Sequence, residues 1–249
     1  MKLKTHRIDL NCDVGEGVGN EASLFPYISS CNIACGGHAG DADSMLNTAT
    51  LARKYGVKTG AHPSYPDREH FGRAPIKLSS ELLQQSIEQQ IAALKEVLRP
   101  HEIPLHHIKA HGALYNDLAQ GGSLALQYLE VLEQFGKDIL LYAPCGSPFA
   151  RLAGDRGFQV WEEAFADRAY EPDGNLVSRK KTGALLTSPL QVSQQVREMV
   201  LAGRVHCSDG SYFSLNPDTY CLHGDTPNAV EILTFLVKAL SEDSIHIQK

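Results

Sequence analysis

The 249-residue sequence predicts an α/β fold, a single closed barrel of parallel strands, on three observations. Seven short apolar runs alternate with helical patterns, as repeated right-handed strand–helix crossovers in one parallel sheet require. Polar and titratable residues stand at the C-terminal ends of nearly all these runs. A barrel gathers such ends on one rim, whereas an open doubly wound sheet gathers them only at a switch point. No dinucleotide fingerprint follows the first run, which weighs against the open sheet.

The runs follow in order. Arg7–Asp13 alternates and leads into the glycine-rich loop Val14–Gly19, where the backbone can approach a ligand closely. It is not a Walker loop, because no Gly-Lys-Ser/Thr follows. Ile28–Ala34 is the second strand, and Asp41 or Asp43 caps a helix that Gly56 ends. Val57–Ala61 is the third strand, ending in His62–Asp67. Leu83, Ile87, Ile91, Leu94 and Leu98 recur at helical spacing until Pro100. His106–Ala110 is the fourth strand, and a helix follows near 122–135. Ile139–Ala143 and Phe158–Glu162 are the fifth and sixth strands, with a short helix between them. The excursion at 165–187 contains the turn signal Pro172-Asp-Gly-Asn175, and Asn175–Ser178 is expected to pair with Gly183–Leu186 as a small hairpin. Ser188-Pro189 opens a helix that Gly203 stops. Thr219–His223 is the seventh strand, and Gly224–Pro227 leads into the last helix. Residues 1–249 read as one domain.

Composition excludes several classes. A net charge of -6 without a basic block gives no support for a nucleic-acid partner. No apolar run reaches the roughly 20 residues of a membrane span. Met1–Arg7 runs straight into a strand with no signal-peptide core, so the cytoplasm is the expected compartment. The six cysteines read as buried free thiols in such a compartment, and the Cys31/Cys35 spacing alone is weak support for zinc.

The expected rim collects Asp13 and Glu16 from the first strand, and Asn32, His38 and Asp41 from the second. It adds His62 and Asp67, Lys109 and His111, Glu163, and His223 and Asp225 from later strands. Taken singly, a histidine here reads as a structural residue, and Asp41 and Asp225 as helix caps. Four strands, however, end in histidines beside small residues, at His38, His62, His111 and His223. Lys109, at the end of an apolar strand, needs a carboxylate or an anionic ligand, because a buried unpaired ammonium is costly. Two chemistries fit. In one, Asp13 with some of His38, His62 and His111 binds a divalent metal that activates water. In the other, carboxylates and histidines exchange protons while Lys109 and the amides of Gly15 and Gly17 stabilise an oxyanion or phosphate.

Asp9–Glu16, Asn32–Asp41, Gly60–Asp67, Lys109–Asn116, Phe165–Tyr170 and Cys221–Pro227 together resemble the LamB/YcsF family, in order and over almost the whole chain. The resemblance implies a seven-stranded TIM-like β/α barrel of the glycoside hydrolase/deacetylase type. It implies ATP-dependent opening of 5-oxo-L-proline to L-glutamate in a cytosolic complex with B and C subunits, with ATP and its accompanying Mg as the implied ligands. Three positions depart from the family pattern: Gly37 for an aromatic, His70 for a glycine and Ala110 for a proline. The first and second are expected to alter pocket shape. The alternatives are a metal-dependent deacetylase acting without ATP, and a non-catalytic subunit that only binds substrate.

Overall fold

The structure is a computed structural model and describes residues 5–249. The expected start of the chain therefore falls partly on residues 1–4, outside the described residues. The barrel strands are β1 His6–Val14, β2 Ser30–Ala34, β3 Lys58–His62, β4 Leu105–Ile108, β5 Leu140–Pro144 and β6 Val160–Phe165. After the hairpin β7 Arg204–His206 and β8 Tyr212–Ser214, β9 Thr219–Cys221 supplies the seventh stave. All neighbours run parallel, and β9 pairs with both β6 and β1, which closes the barrel. A last strand, β10 Ile245–Ile247, pairs with the lower half of β1.

The helices are α1 Glu21–Leu24, α2 Ala42–Tyr55, α3 Ser80–Leu98, α4 Gly112–Ala119, α5 Gly122–Glu133, α6 Pro148–Asp155, α7 Pro189–Ala202 and α8 Ala229–Glu242. Their apolar faces and the outward strand residues form one continuous buried cluster. Strand alternation divides β1 between two environments. Leu10, Cys12 and Val14 join the apolar cluster, while Asp9, Asn11 and Asp13 are buried with polar partners.

Those partners come from across the barrel. Asn11 bonds Glu163 of β6 and Thr219 of β9, and Asp9 bonds Ser30 of β2 and Thr219. The barrel interior is therefore a hydrogen-bonded polar column. Register builds its upper layer by aligning Asp13 with Asn32, Asn32 with Gly60, and Gly60 with His107. Gly60 is required here, because a Cβ would lie 2.2 Å from the His107 ring.

The excursion after β6 differs from expectation. Asn175–Ser178 and Gly183–Leu186 do not pair with each other. Tyr170 instead bridges Leu176 across the Pro172–Asn175 turn, and Arg168 bridges Leu185. The buried Arg168 guanidinium donates to the carbonyls of Val177 and Ala184, so a side chain replaces the ladder.

Candidate active site

Lys109 leaves the end of β4 and points into the top of the column. Its Nζ lies 2.9 Å from Asp13 Oδ1 and 2.9 Å from Glu163 Oε1, with Cys221 Sγ at 3.1 Å. Asn32 donates to the same Asp13 oxygen at 2.7 Å, and Tyr115 donates to Glu163 Oε2 at 2.6 Å. Burial pulls the ammonium pKa down, but Asp13, Cys221 and Glu163 outweigh it and hold the group well above the ordinary lysine value. Burial pushes Asp13 up, and His62 and Lys109 outweigh that in turn, leaving the carboxyl well below its usual range. Lys109 is therefore a fixed cation, and Asp13 a fixed anion with its Oδ1 occupied.

Three imidazoles stand beside this pair. His62 Nδ1 donates to the Lys109 carbonyl at 2.8 Å, and His111 Nε2 donates to the Phe71 carbonyl at 2.9 Å. A carbonyl only accepts, so in each ring the nitrogen facing the carbonyl carries a proton and the other nitrogen points inward. His62 Nε2 and His111 Nδ1 face each other at 3.0 Å, and Asp13 Oδ2 lies 3.3 Å from His62 Nε2. His38 stacks flat on His111, with ring centroids 3.6 Å apart, and meets Glu16 Oε1 at 2.9 Å. Burial drops His38 to about 4. Burial, with His62 and His38 adding to it, also drives His111 well below the ordinary histidine value. Burial together with the Asp13 charge raises Glu16 to about 7, a value suited to proton exchange near neutrality.

The Asp13, His62 and His111 acceptor atoms all lie within 4.8 Å of one another. Tetrahedral zinc, with bonds of about 2.0–2.1 Å, separates its ligands by about 3.4 Å. Carbonyl acceptors behind both histidines are also the usual support of metal ligands. These residues therefore fit a divalent ion. Of the expected candidates, His62 and His111 join Asp13 in this set, whereas His38 Nε2 faces Glu16 and groups with Glu16 and His111.

The third group is His223. Its Nδ1 and backbone N–H both meet Asp167, whose carboxylate also accepts from Thr226. This fixes the imidazole orientation and directs Nε2 away from Asp167. Asp13, His62, Lys109, His111, Glu163 and His223 all line one cavity of about 540 Å³. Its walls add Arg73, Tyr115 and Arg168, and the segment Gly174–Lys180.

Other expected residues stand apart. Glu16 and His38 form a layer behind His111 and do not line the cavity, and Asn32 supports Asp13 from below. Asp41 is exposed, caps α2 and accepts the Ser44 N–H. Asp67 accepts from His70 within its own loop, and Asp225 pairs with Arg73 at the rim. Gly15 donates to Glu21, and neither it nor Gly17 lines the cavity. The two departures expected to reshape the pocket do not line it either. Gly37 packs against Ser64 and Gln90, and His70 is largely exposed. Ala110 is the departure that reaches the cavity.

Asn11, His107, Tyr115, Asp167 and Arg73 were not singled out from the sequence. Period-two alternation carries the first two, since Asn11 shares a face with Asp13 and His107 with Lys109. Tyr115 stands one helical turn after His111. Nothing local marks Arg73, which a loop delivers.

A closed parallel barrel with a titratable cluster at the C-terminal ends of its strands places the chain among barrel proteins that work from that rim. The LamB/YcsF family model matches residues 8–249. The chain is 42% identical over 246 residues to a Thermococcus sibiricus protein named as the A subunit of 5-oxoprolinase, covering 97% of this chain and 96% of that one. It superposes on the lactam utilization protein of Thermus thermophilus with a TM-score of 0.90, at 34% identity, over 97% of this chain and 99% of that one. A family 4 carbohydrate esterase from Streptomyces lividans shares the fold at 10% identity and a TM-score of 0.50, over 99% of this chain and 93% of that one. The chain belongs to the LamB/YcsF family.

Proposed function

We propose that this chain binds and opens 5-oxo-L-proline to L-glutamate, coupled to ATP hydrolysis, as one component of a cytoplasmic complex with B and C subunits. The names of its relatives support the substrate and the place in a multisubunit enzyme. The observation that carries the chemistry is Lys109, a buried ammonium held between Asp13 and Glu163 on the cavity floor. Among the described residues, no helix is long and apolar enough to cross a membrane.

A lactam is resonance-stabilised, so its carbonyl carbon resists water. Transfer of the ATP γ-phosphoryl group to the lactam oxygen releases ADP and removes that protection. Lys109 neutralises charge on the phosphorylated oxygen. A water adds to the ring carbon, and His62 Nε2, backed by Asp13 Oδ2, takes its proton. The ring C–N bond then breaks as the added hydroxyl gives up its proton and becomes the carbonyl of an acyl phosphate, and His223, oriented by Asp167, delivers a proton to nitrogen. A second water displaces phosphate and leaves glutamate. A divalent ion held by Asp13, His62 and His111 would supply Lewis-acid activation at the same place. That triad also supports a second reading, amide or ester hydrolysis without ATP.

The test is glutamate release from 5-oxoproline with ATP, using this chain alone and with B and C subunits. Turnover should need the full set and ATP. Lys109→Met should lower kcat by about 100-fold or more, the scale of losing one preorganised charge stabiliser. Turnover without ATP would favour the second reading, and no turnover in any combination would overturn the 5-oxoproline reading.

A further inference from the structure

The cavity carries more positive charge than its carboxylates balance. Arg73, Lys109, Arg168, Arg179 and Lys180 line it, against Asp13 and Glu163. Both carboxylates already hold Lys109. Arg73 is matched by Asp225 and rests on the Phe71 ring. Asp167 lies nearby, but its carboxylate is occupied by His223 and Thr226. Among the described residues, Arg168 and Arg179 have no carboxylate within 4.0 Å.

The two arginines are built differently. Arg168 is buried and uses two donors on the Val177 and Ala184 carbonyls. A guanidinium has five. It also fixes the chain on both sides of Arg179, so the segment above the cavity is anchored. Arg179 is partly buried and makes no hydrogen bond to any described group. Burial lowers Arg168 to about 10, with the Arg179 charge adding to the effect. Burial lowers Arg179 as well, with Arg73 adding to it. Guanidinium groups brought together out of water without counter-ions destabilise the chain unless an anion joins them.

We propose that Arg179 and Arg168, which line the same cavity as Lys109, form an oxyanion subsite that recognises a carboxylate or phosphate group of the reactants. The proposal rests on the 5-oxoproline reading for its two sources, the substrate carboxylate and an ATP phosphate. The geometry suits the first. In 5-oxoproline the carboxyl-bearing carbon and the lactam carbonyl flank the ring nitrogen on opposite sides. A lactam oxygen set on Lys109 therefore leaves the carboxylate free for other groups that line the cavity, Arg168 and Arg179 among them. Guanidinium also binds a planar carboxylate through two parallel donors, which lysine cannot do.

Arg179 is the residue to vary, because it supports no other group, whereas Arg168 holds the segment together. Arg179→Ala and Arg179→Lys are compared with the unaltered chain in the assembled three-subunit enzyme and in the isolated full chain. With a carboxylate subsite, Arg179→Ala raises the KM for 5-oxoproline by about tenfold to a hundredfold and leaves the KM for ATP unchanged. Arg179→Lys recovers part of the loss, and 2-pyrrolidinone, a neutral lactam, is a poor substrate insensitive to Arg179. With a phosphate subsite, the KM for ATP moves instead. Calorimetry on the isolated chain separates this proposal from the functional reading. Arg179-dependent binding of 5-oxoproline or inorganic phosphate without turnover would keep the subsite and remove the proposed reaction. Normal turnover with both KM values unmoved in Arg179→Ala would overturn the subsite and keep the reaction.

Discussion

His107 shows how a single buried side chain ties the barrel to pH. Its ring is fully buried, stacks on Tyr142 at 4.1 Å and bonds Asn32 Oδ1 at 2.7 Å, which in turn positions Asp13. Burial, with His106 and Lys109 nearby, drives its pKa well below the ordinary 6.5. A group whose folded pKa is depressed stabilises the fold above its unfolded value and loses that contribution as pH falls. His38, lowered to about 4, acts in the same direction. Glu16, raised from 4.5 to about 7, opposes them, because the folded state keeps its proton in that range. The histidines outnumber it, so the urea midpoint should fall as pH drops from about 7 to about 5. His107→Gln, which keeps a donor for Asn32, should make that fall shallower. An unchanged slope would remove His107 from the account. Much at this scale was legible in advance: strand-end histidines and Lys109 converge as expected. The partner of each was not, because His111 rather than His38 completing the triad depends on ring stacking and on which carbonyl lies behind each imidazole.

At the scale of the element, strands and helices followed from periodicity, since β-strands and amphipathic helices write their faces into the chain. The short hairpin β7–β8, the strand β10 and helix α4 had no comparable pattern, and the excursion after β6 is ordered by one arginine rather than by a ladder. Gly37 illustrates the same limit. The family pattern suggests a pocket residue, yet its α-carbon faces Gln90 of α3, and a Cβ there would sit 2.4 Å from Gln90 Oε1. Gln90 fills that space and bonds both the N–H and the carbonyl of Ser64, each at 2.9 Å, clamping α3 to the loop after β3. Gly37→Phe should therefore destabilise the chain by about 1–3 kcal/mol through overpacking. Combining it with Gln90→Ala should recover part of the loss. Chemical denaturation of the two single variants and the double variant gives the coupling directly. Strict additivity would mean that the two residues do not share the space.

For the whole molecule, the polar column inside the barrel has a kinetic consequence. Its contacts join residues far apart in the chain: Asn11 reaches Glu163 across 152 positions and Thr219 across 208, while Lys109 reaches Asp13 across 96. Helices such as α3 close over short stretches, and contacts of that kind form early. The staves β1, β4 and β6 must all be in place before Lys109 has both its carboxylates. Until then an intermediate exposes charged groups to water and presents no assembled floor. Refolding should thus show ellipticity returning ahead of emission from Trp161, the one tryptophan, which stacks on Tyr142 within the sheet. Coincident recovery at every denaturant concentration would mean that closure and helix formation are one step. If closure comes last, the capacity to bind a reactant arises only in chains that have completed the circle, and binding competence serves as a direct assay of correct folding.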